Sequence, residues 1–287
     1  MKKLKYLFQF IIIIFLFIIF KMLGLKLSTK LSGLILTLLG PIFRSNKLIN
    51  SNLTKAFPNL DLFQKKIISK NMWFNYGEVL AEYMFIKNFR IKKDFSKKII
   101  VENQSILDKI KSDSKPVIFV SGHFNNFELM AMHIEKSGID LAAVYRPLNN
   151  IFLNPIMENI RTKHICKKQI KKGLAGTKDL LKNYKAGTSL ALMIDQRVTE
   201  GIMCKFFSQE ARTTTIPAQF VKKFDTKIVP IYIERNKDDV FKIKIYEGLE
   251  FNKEESIYSI TLKLNQVLEE MITKNPDQWI WTHNRWK

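Results

Sequence analysis

From residue 117 to residue 246 the chain alternates short apolar runs with amphipathic ones, and nothing else in the sequence restricts the fold as much. Residues 117–121 read as a strand and 127–136 as a helix; 139–145 read as a strand, then 152–162 and 174–183 as helices. A strand at 189–194, a helix at 216–224 and strands at 228–234 and 240–246 continue the series, and a long amphipathic helix at 254–273 follows. Strands joined by helices pair side by side in parallel, because a parallel partner requires a crossover connection. The expected fold is therefore α/β, a layered domain with a mostly parallel central sheet flanked by helices, preceded by an N-terminal membrane-anchor helix. No repeat or low-complexity linker divides residues 44–287. In sheets of this kind ligands bind at the carboxyl ends of the strands, and the chemically distinctive residues of this chain cluster there.

The first cluster is Gly122-His123-Phe124-Asn125-Asn126-Phe127-Glu128. His123 follows a strand directly, and Gly122 allows close approach to the backbone. Residues five apart do not share a helix face, but a turn between strand and helix lets Glu128 fold back to the imidazole. A carboxylate there would orient the ring and stabilise imidazolium, as in a catalytic dyad. A capping histidine with a solvated Glu128 fits the spacing equally well, and Asn125 or Asn126 can cap the helix. Arg146 and Arg161 are two of eight Arg in a Lys-dominated chain. Their guanidinium groups suit a bidentate phosphate or carboxylate, or simple ion pairing to Glu158. Asp195-Gln196 ends the strand at 189–194 and either lines the same crevice or binds turn amides. Phe206 and Phe207 form an apolar lip. Thr213–Thr215 precede Pro217 at a helix start, where capping is favoured over pocket lining. The ending WIWTHNRWK is read as a strand that closes the sheet, with an interfacial tail as the alternative.

The first 30 residues are apolar to an unusual degree. Lys2, Lys3 and Lys5 precede a run from Tyr6 to Phe20 in which Gln9 alone is polar. No small-x-small cleavage site follows, so a retained anchor is expected over 1–27 rather than a signal peptide. With Lys21 snorkelling, residues 4–25 approach the ~20 needed to cross a bilayer. Residues 31–43 are too short to span and suit an interfacial helix, within a single domain drawn as 28–287. Charge leaves orientation open: an interfacial anchor or short hairpin keeps the body cytoplasmic, whereas a plain single span with its N-terminus inside does not. The formal net charge is +21, from 47 basic and 26 acidic residues. Two explanations fit: Lys spread over solvated faces, or a surface that meets anionic lipid, phosphorylated glycolipid, an acidic carrier protein or nucleic acid. Cys166 and Cys204 lack ligand spacing or a nucleophile's context, so neither a metal nor a cofactor is expected.

Taken together, GHFNNFE, YRPLNN, Asp195-Gln196, the FF…A.T segment at Phe206–Thr213, IVP at 228–230 and the terminal HNRWK resemble the lipid A late acyltransferases. This is the lauroyl/myristoyl acyltransferase family of the wider lysophospholipid-acyltransferase group, and its HX4D/HX4E motif is matched by His123 and Glu128. The resemblance implies an inner-membrane enzyme, with its catalytic domain facing the cytoplasm, that moves an acyl chain from acyl carrier protein to a hydroxyl of a lipid A precursor. It implies His123 and Glu128 as catalytic, with Gly122, Asn126, Arg146, Arg161, Asp195 and Gln196 toward substrate. Arg161 would serve the oxyanion or a substrate phosphate, beside backbone amides near Gly122. Nucleic acid is not expected as a partner. Acylation of another membrane lipid, or a non-catalytic basic protein that holds anionic lipid, are the alternatives.

Overall fold

The computed structural model describes residues 2–287, apart from the side chain of Leu174. The apolar N-terminus forms one 42-residue helix, α1 (Lys2–Phe43), broken at Gly24, where φ is 74°. This backbone geometry is one that glycine adopts without steric cost. The break lies inside the anchor expected over 1–27, and the piece expected over 31–43 is continuous with it. After α2 (Asn46–Ala56) comes α3 (Leu62–Glu82). Asp61 and Gln64 start α3 with a reciprocal capping box: Gln64 N–H donates to Asp61 Oδ1 at 2.7 Å, and Asp61 N–H to Gln64 Oε1 at 3.0 Å.

The second half of α1 packs on α3 through small residues. Ser28, Ser32, Gly33 and Gly40 are buried there, with the Phe74 ring over Gly33 and the Trp73 ring over Gly40. Gly77 completes the contact from the α3 side. A Cβ built at Gly77 would stand 2.2 Å from the Ser32 carbonyl oxygen and 2.6 Å from Gly33 Cα, both backbone atoms that cannot swing away. Gly77→Ala is therefore expected to force the helices apart at a cost of about 1–3 kcal/mol. Thermal unfolding in detergent measures this, and an unchanged Tm would refute the close-packing account.

Short helices α4 (Ile86–Ile91) and α5 (Lys93–Ser96) lead to β1 (Ile99–Glu102) and α6 (Gln104–Asp113). The alternating core then runs β2 (Ile118–Ser121), α7 (Glu128–Lys136), β3 (Leu141–Tyr145), α8 (Asn154–His164), β4 (Lys168–Lys171), α9 (Leu174–Lys185) and β5 (Ser189–Met193). A hairpin of β6 (Ile202–Phe206) and β7 (Gln209–Thr213) precedes α10 (Ile216–Phe224), β8 (Ile228–Arg235), β9 (Phe241–Ile245) and α11 (Ile257–Lys274). The seven-stranded sheet has the order β1-β9-β8-β2-β5-β3-β4. All neighbours are parallel except β8 and β9. The fold is thus the α/β sheet the alternation requires. The polar edge strand β4, of sequence KQIK, has too little apolar pattern to be read in advance.

Local expectations are corrected at several points. The C-terminal tail adds no strand to the sheet: Trp279 makes one isolated bridge to Phe124, while Trp279, Trp281 and Trp286 are buried. At the start of α10 the N-cap Thr215 makes no side-chain capping bond, but Thr214 Oγ1 accepts the N–H of Ile216 at 3.4 Å; Thr213 is buried and accepts from Arg285 Nη2 at 2.7 Å. Asn125 and Asn126 do not cap α7, whose N-cap is Phe127. Phe206, expected at a lip, is fully buried, and Phe207 and Ser208 turn the β6–β7 hairpin with φ of 49° and 60°. Positive φ at both turn residues matches the twist of the paired strands.

Candidate active site

Register brings the site together. In the β2–β5 pair Ser121 lies opposite Met193. Two residues beyond each strand end, His123 and Asp195 meet side by side at the carboxyl edge. His123 Nδ1 lies 2.8 Å from Asp195 Oδ1. The other carboxylate oxygen, Oδ2, accepts the backbone N–H of His123 at 2.8 Å and the indole N–H of Trp279 at 2.9 Å. Asp195 is completely buried, while the His123 side chain keeps 22% of its surface exposed. Gly122 serves the close approach: a Cβ there would meet Phe124 at 2.9 Å and Asp195 Cβ at 3.2 Å.

The electrostatics follow from this geometry. Burial alone would raise the Asp195 pKa, but the imidazole and three hydrogen bonds outweigh it and bring the carboxyl down to about 2. Burial likewise pushes His123 toward the neutral form. The field and hydrogen bond of Asp195, with a contribution from Glu128, reverse this and raise the imidazole above its ordinary value. An ionised Asp195 holds the proton on Nδ1, so Nε2 carries the open lone pair of the neutral ring. Among the described residues no group hydrogen-bonds to Nε2. The Gln196 amide nitrogen lies 3.5 Å from Nδ1, too far and of the wrong kind to compete for that proton.

Glu128 does not reach the ring. It sits in the first turn of α7 and accepts from Arg161 Nε at 2.8 Å and from the Tyr83 hydroxyl. Arg161 Nη2 also donates to Tyr83 Oη at 3.1 Å. Glu128 is buried and Arg161 nearly so, which makes this a tight ion pair from α7 to α8, closed by Tyr83 from the end of α3. The structure therefore assigns the imidazole a different carboxylate from the one the five-residue spacing suggested. The turn at 124–127 carries Glu128 past the ring, whereas register holds Asp195 against it.

Asn126 is fully buried and donates to Glu82 Oε2 at 2.8 Å. It belongs to a polar layer behind the site. Arg235, at the end of β8, lies 3.0 Å from Glu78 and also pairs with Glu82. Burial pushes Glu78 up to about 7 and Glu82 upward as well. Two acids four apart within the apolar 72–86 stretch were a readable signal of this layer. Of the backbone amides near Gly122, those of residues 123–126 are occupied. His123 N–H donates to Asp195, Phe124 N–H to the Gly122 carbonyl and Asn125 N–H to the Gln278 carbonyl. Asn126 N–H donates to the Asn125 side chain.

Arg146 is exposed at the end of β3, and Lys172 follows β4 next to it, each close enough for its charge to act on the other. The C-terminal motif is structural. His283 Nε2 accepts the Arg197 N–H at 3.0 Å, and burial holds the ring down at about 4, keeping it a neutral acceptor. Arg285 is fully buried, donates to the Arg212 carbonyl at 2.9 Å, and lies over the Phe206 ring at 4.7 Å. Tyr83 and Lys172 escaped the sequence reading, Tyr83 because it lies in no motif and Lys172 because the polar strand it follows was not legible; Trp279 was read only as part of the closing tail, not as a partner of Asp195.

A layered α/β domain with a buried Asp beside a partly exposed His at the sheet's carboxyl edge has the arrangement that a base-catalysed transfer requires. The chain belongs to the bacterial lipid A biosynthesis acyltransferase family, whose profile matches residues 1–287. It is similar to a lipid A biosynthesis acyltransferase of Haemophilus influenzae, 25% identical over 82% of this chain and 75% of the relative. It is also similar to lipid A biosynthesis acyltransferase 2 of Shigella flexneri, 21% identical over 80% of this chain and 74% of the relative. The protein is thus an acyltransferase of lipid A biosynthesis.

Proposed function

We propose that this acyltransferase moves a fatty acyl group from an acyl carrier protein thioester to a hydroxyl of a lipid A precursor at the cytoplasmic face of the inner membrane. The observation that supports it most is the His123–Asp195 pair with Nε2 left open. A secondary hydroxyl is a weak nucleophile at neutral pH, so its proton must leave as it attacks. His123 Nε2 takes that proton while the oxygen bonds to the thioester carbonyl carbon. The C–S bond then breaks, and Nε2 returns the proton to the departing thiolate. Asp195 fixes the tautomer and balances the imidazolium. Glu128 and Tyr83 hold Arg161, whose Nη1 has no partner among the described residues and serves the developing oxyanion or a substrate phosphate. Arg146 and Lys172 add positive charge at the adjoining strand ends, and Gln196 flanks the ring as a substrate contact.

The net charge of +21 suits an acidic carrier protein. Purified enzyme given acyl carrier thioester and lipid A precursor should form a product heavier by one acyl chain. Its kcat/KM should fall as salt rises, because screening shortens the steering field to about 10 Å at 0.1 M. Absence of the acylated product would overturn the reaction, and efficient salt-independent use of acyl-coenzyme A would overturn the carrier donor.

A further inference from the structure

The two halves of α1 wear their apolar surface on the outside. In residues 25–43 the buried side is Ser28, Thr29, Ser32, Gly33 and Gly40, while Leu27, Leu31, Leu34, Leu38 and Ile42 form an exposed stripe. A helix on a water-soluble domain has the opposite arrangement. Residues 2–23 are apolar on both sides. Phe17 and Phe20 are buried against the body, whereas Phe8, Ile11, Phe15, Ile18 and Met22 are exposed on the opposite side.

The body follows the first half of α1 almost to its start. The Asn150 side-chain amide donates to the Tyr6 carbonyl at 2.8 Å, and the Phe10 and Phe152 rings stand 6.0 Å apart. Tyr6 and Phe20 are fourteen residues apart, about 21 Å along a helix. To cross a hydrocarbon layer of about 30 Å, residues 2–23 would have to carry the loop at 146–153, with its polar Asn149 and Asn150, into the membrane alongside them. The second half is likewise bound to α3 from Ser32 to Gly40. Neither half is free to leave the body and span alone.

We propose that α1 does not cross the bilayer. Both halves lie along one leaflet, bent at Gly24, with inner faces on the catalytic domain and outer faces in lipid. The occupant of the apolar surface is an anionic bilayer. Lys2, Lys3, Lys5, Lys21, Lys26 and Lys30 are all exposed, placed to reach lipid phosphates. The apolar surface continues onto the loop that follows Arg146, where Leu148 and Ile151 are exposed. The leaflet therefore meets the rim of the site, next to the helix that carries Arg161, and a lipid acceptor reaches His123 without leaving the membrane surface.

The inference deepens the proposed function and rests on it only for the side of the membrane. Its test is independent of turnover. Single variants Lys3→Cys and Lys185→Cys are labelled with a membrane-impermeant maleimide in inside-out vesicles and in spheroplasts; the native Cys166 and Cys204 are buried. Both positions should react in the inside-out vesicles and neither in spheroplasts. Reaction from opposite sides would mean that α1 crosses, and would end the proposal. Reaction of both only in spheroplasts would keep α1 in one leaflet but contradict the cytoplasmic placement of the proposed function. Nitroxides at Phe8→Cys, Met22→Cys and Leu38→Cys, in phosphatidylethanolamine/phosphatidylglycerol vesicles, should report one shared depth and free access to oxygen. A depth difference near 20 Å between Phe8→Cys and Met22→Cys refutes the in-plane placement. Loss of oxygen access at all three would mean that a second copy of the chain covers this face, which also refutes it.

Discussion

His123→Ala should lower turnover by about 10²–10⁴-fold, the scale of a lost general base, while substrate binding changes far less. The imidazole bonds to Asp195 through Nδ1, packs edge-on against the Phe127 ring at 4.9 Å and leaves Nε2 open. Removing it takes away the acceptor for the hydroxyl proton but leaves Asp195 bonded to the backbone N–H of residue 123 and to Trp279. The fold should therefore survive, and far-UV circular dichroism with a thermal melt checks that it does. The decisive assay is single-turnover acyl transfer to a defined lipid A precursor. Near-normal turnover in a folded His123→Ala protein would show that the residue only packs the edge of the sheet.

Asp195→Asn should be comparably severe, and its mechanism is more specific. Oδ2 of Asp195 accepts from two donors, the His123 backbone N–H and the Trp279 indole, so an oxygen must remain at that position. The amide nitrogen of Asn is then forced to the Oδ1 position, facing His123 Nδ1. It donates to Nδ1 and drives the ring proton to Nε2, which is the wrong tautomer for a base. A loss of about 10²–10⁴-fold in turnover is expected. The pH profile supplies a second signature. In the wild type the imidazole is held above its ordinary pKa, so activity should climb with pH through a value above about 6.5. Loss of the Asp195 charge removes the largest stabiliser of imidazolium, so the residual activity of Asp195→Asn should have its acid limb at lower pH. A mutant that loses activity with an unmoved acid limb would argue that Asp195 is a structural residue and does not orient the base.

The sequence by itself determined a mostly parallel sheet and the edge at which the candidate residues stand. Strands alternating with helices pair in parallel, and the four legible strands of one direction, β2, β3, β5 and β8, place their carboxyl ends on one side. His123, Asp195 and Arg146 each directly follow an apolar run, so local order alone assigns them to that edge. Only the tertiary structure decided which of them touch. The β2–β5 register is a relation between residues about seventy apart, and no local pattern encodes it; it sets Asp195 against the imidazole. The fate of Glu128 depends on Tyr83 and Arg161, which arrive from α3 and α8, so a five-residue spacing carried no information about its partner. The same division holds at the N-terminus. Uniform hydropathy announced contact with apolar surroundings, but a helix apolar on every side has no periodicity to name its inner face. Packing of Phe17, Phe20 and the small residues of α1 against the body made that choice, because only close-fitting surfaces recover the contacts that burial requires.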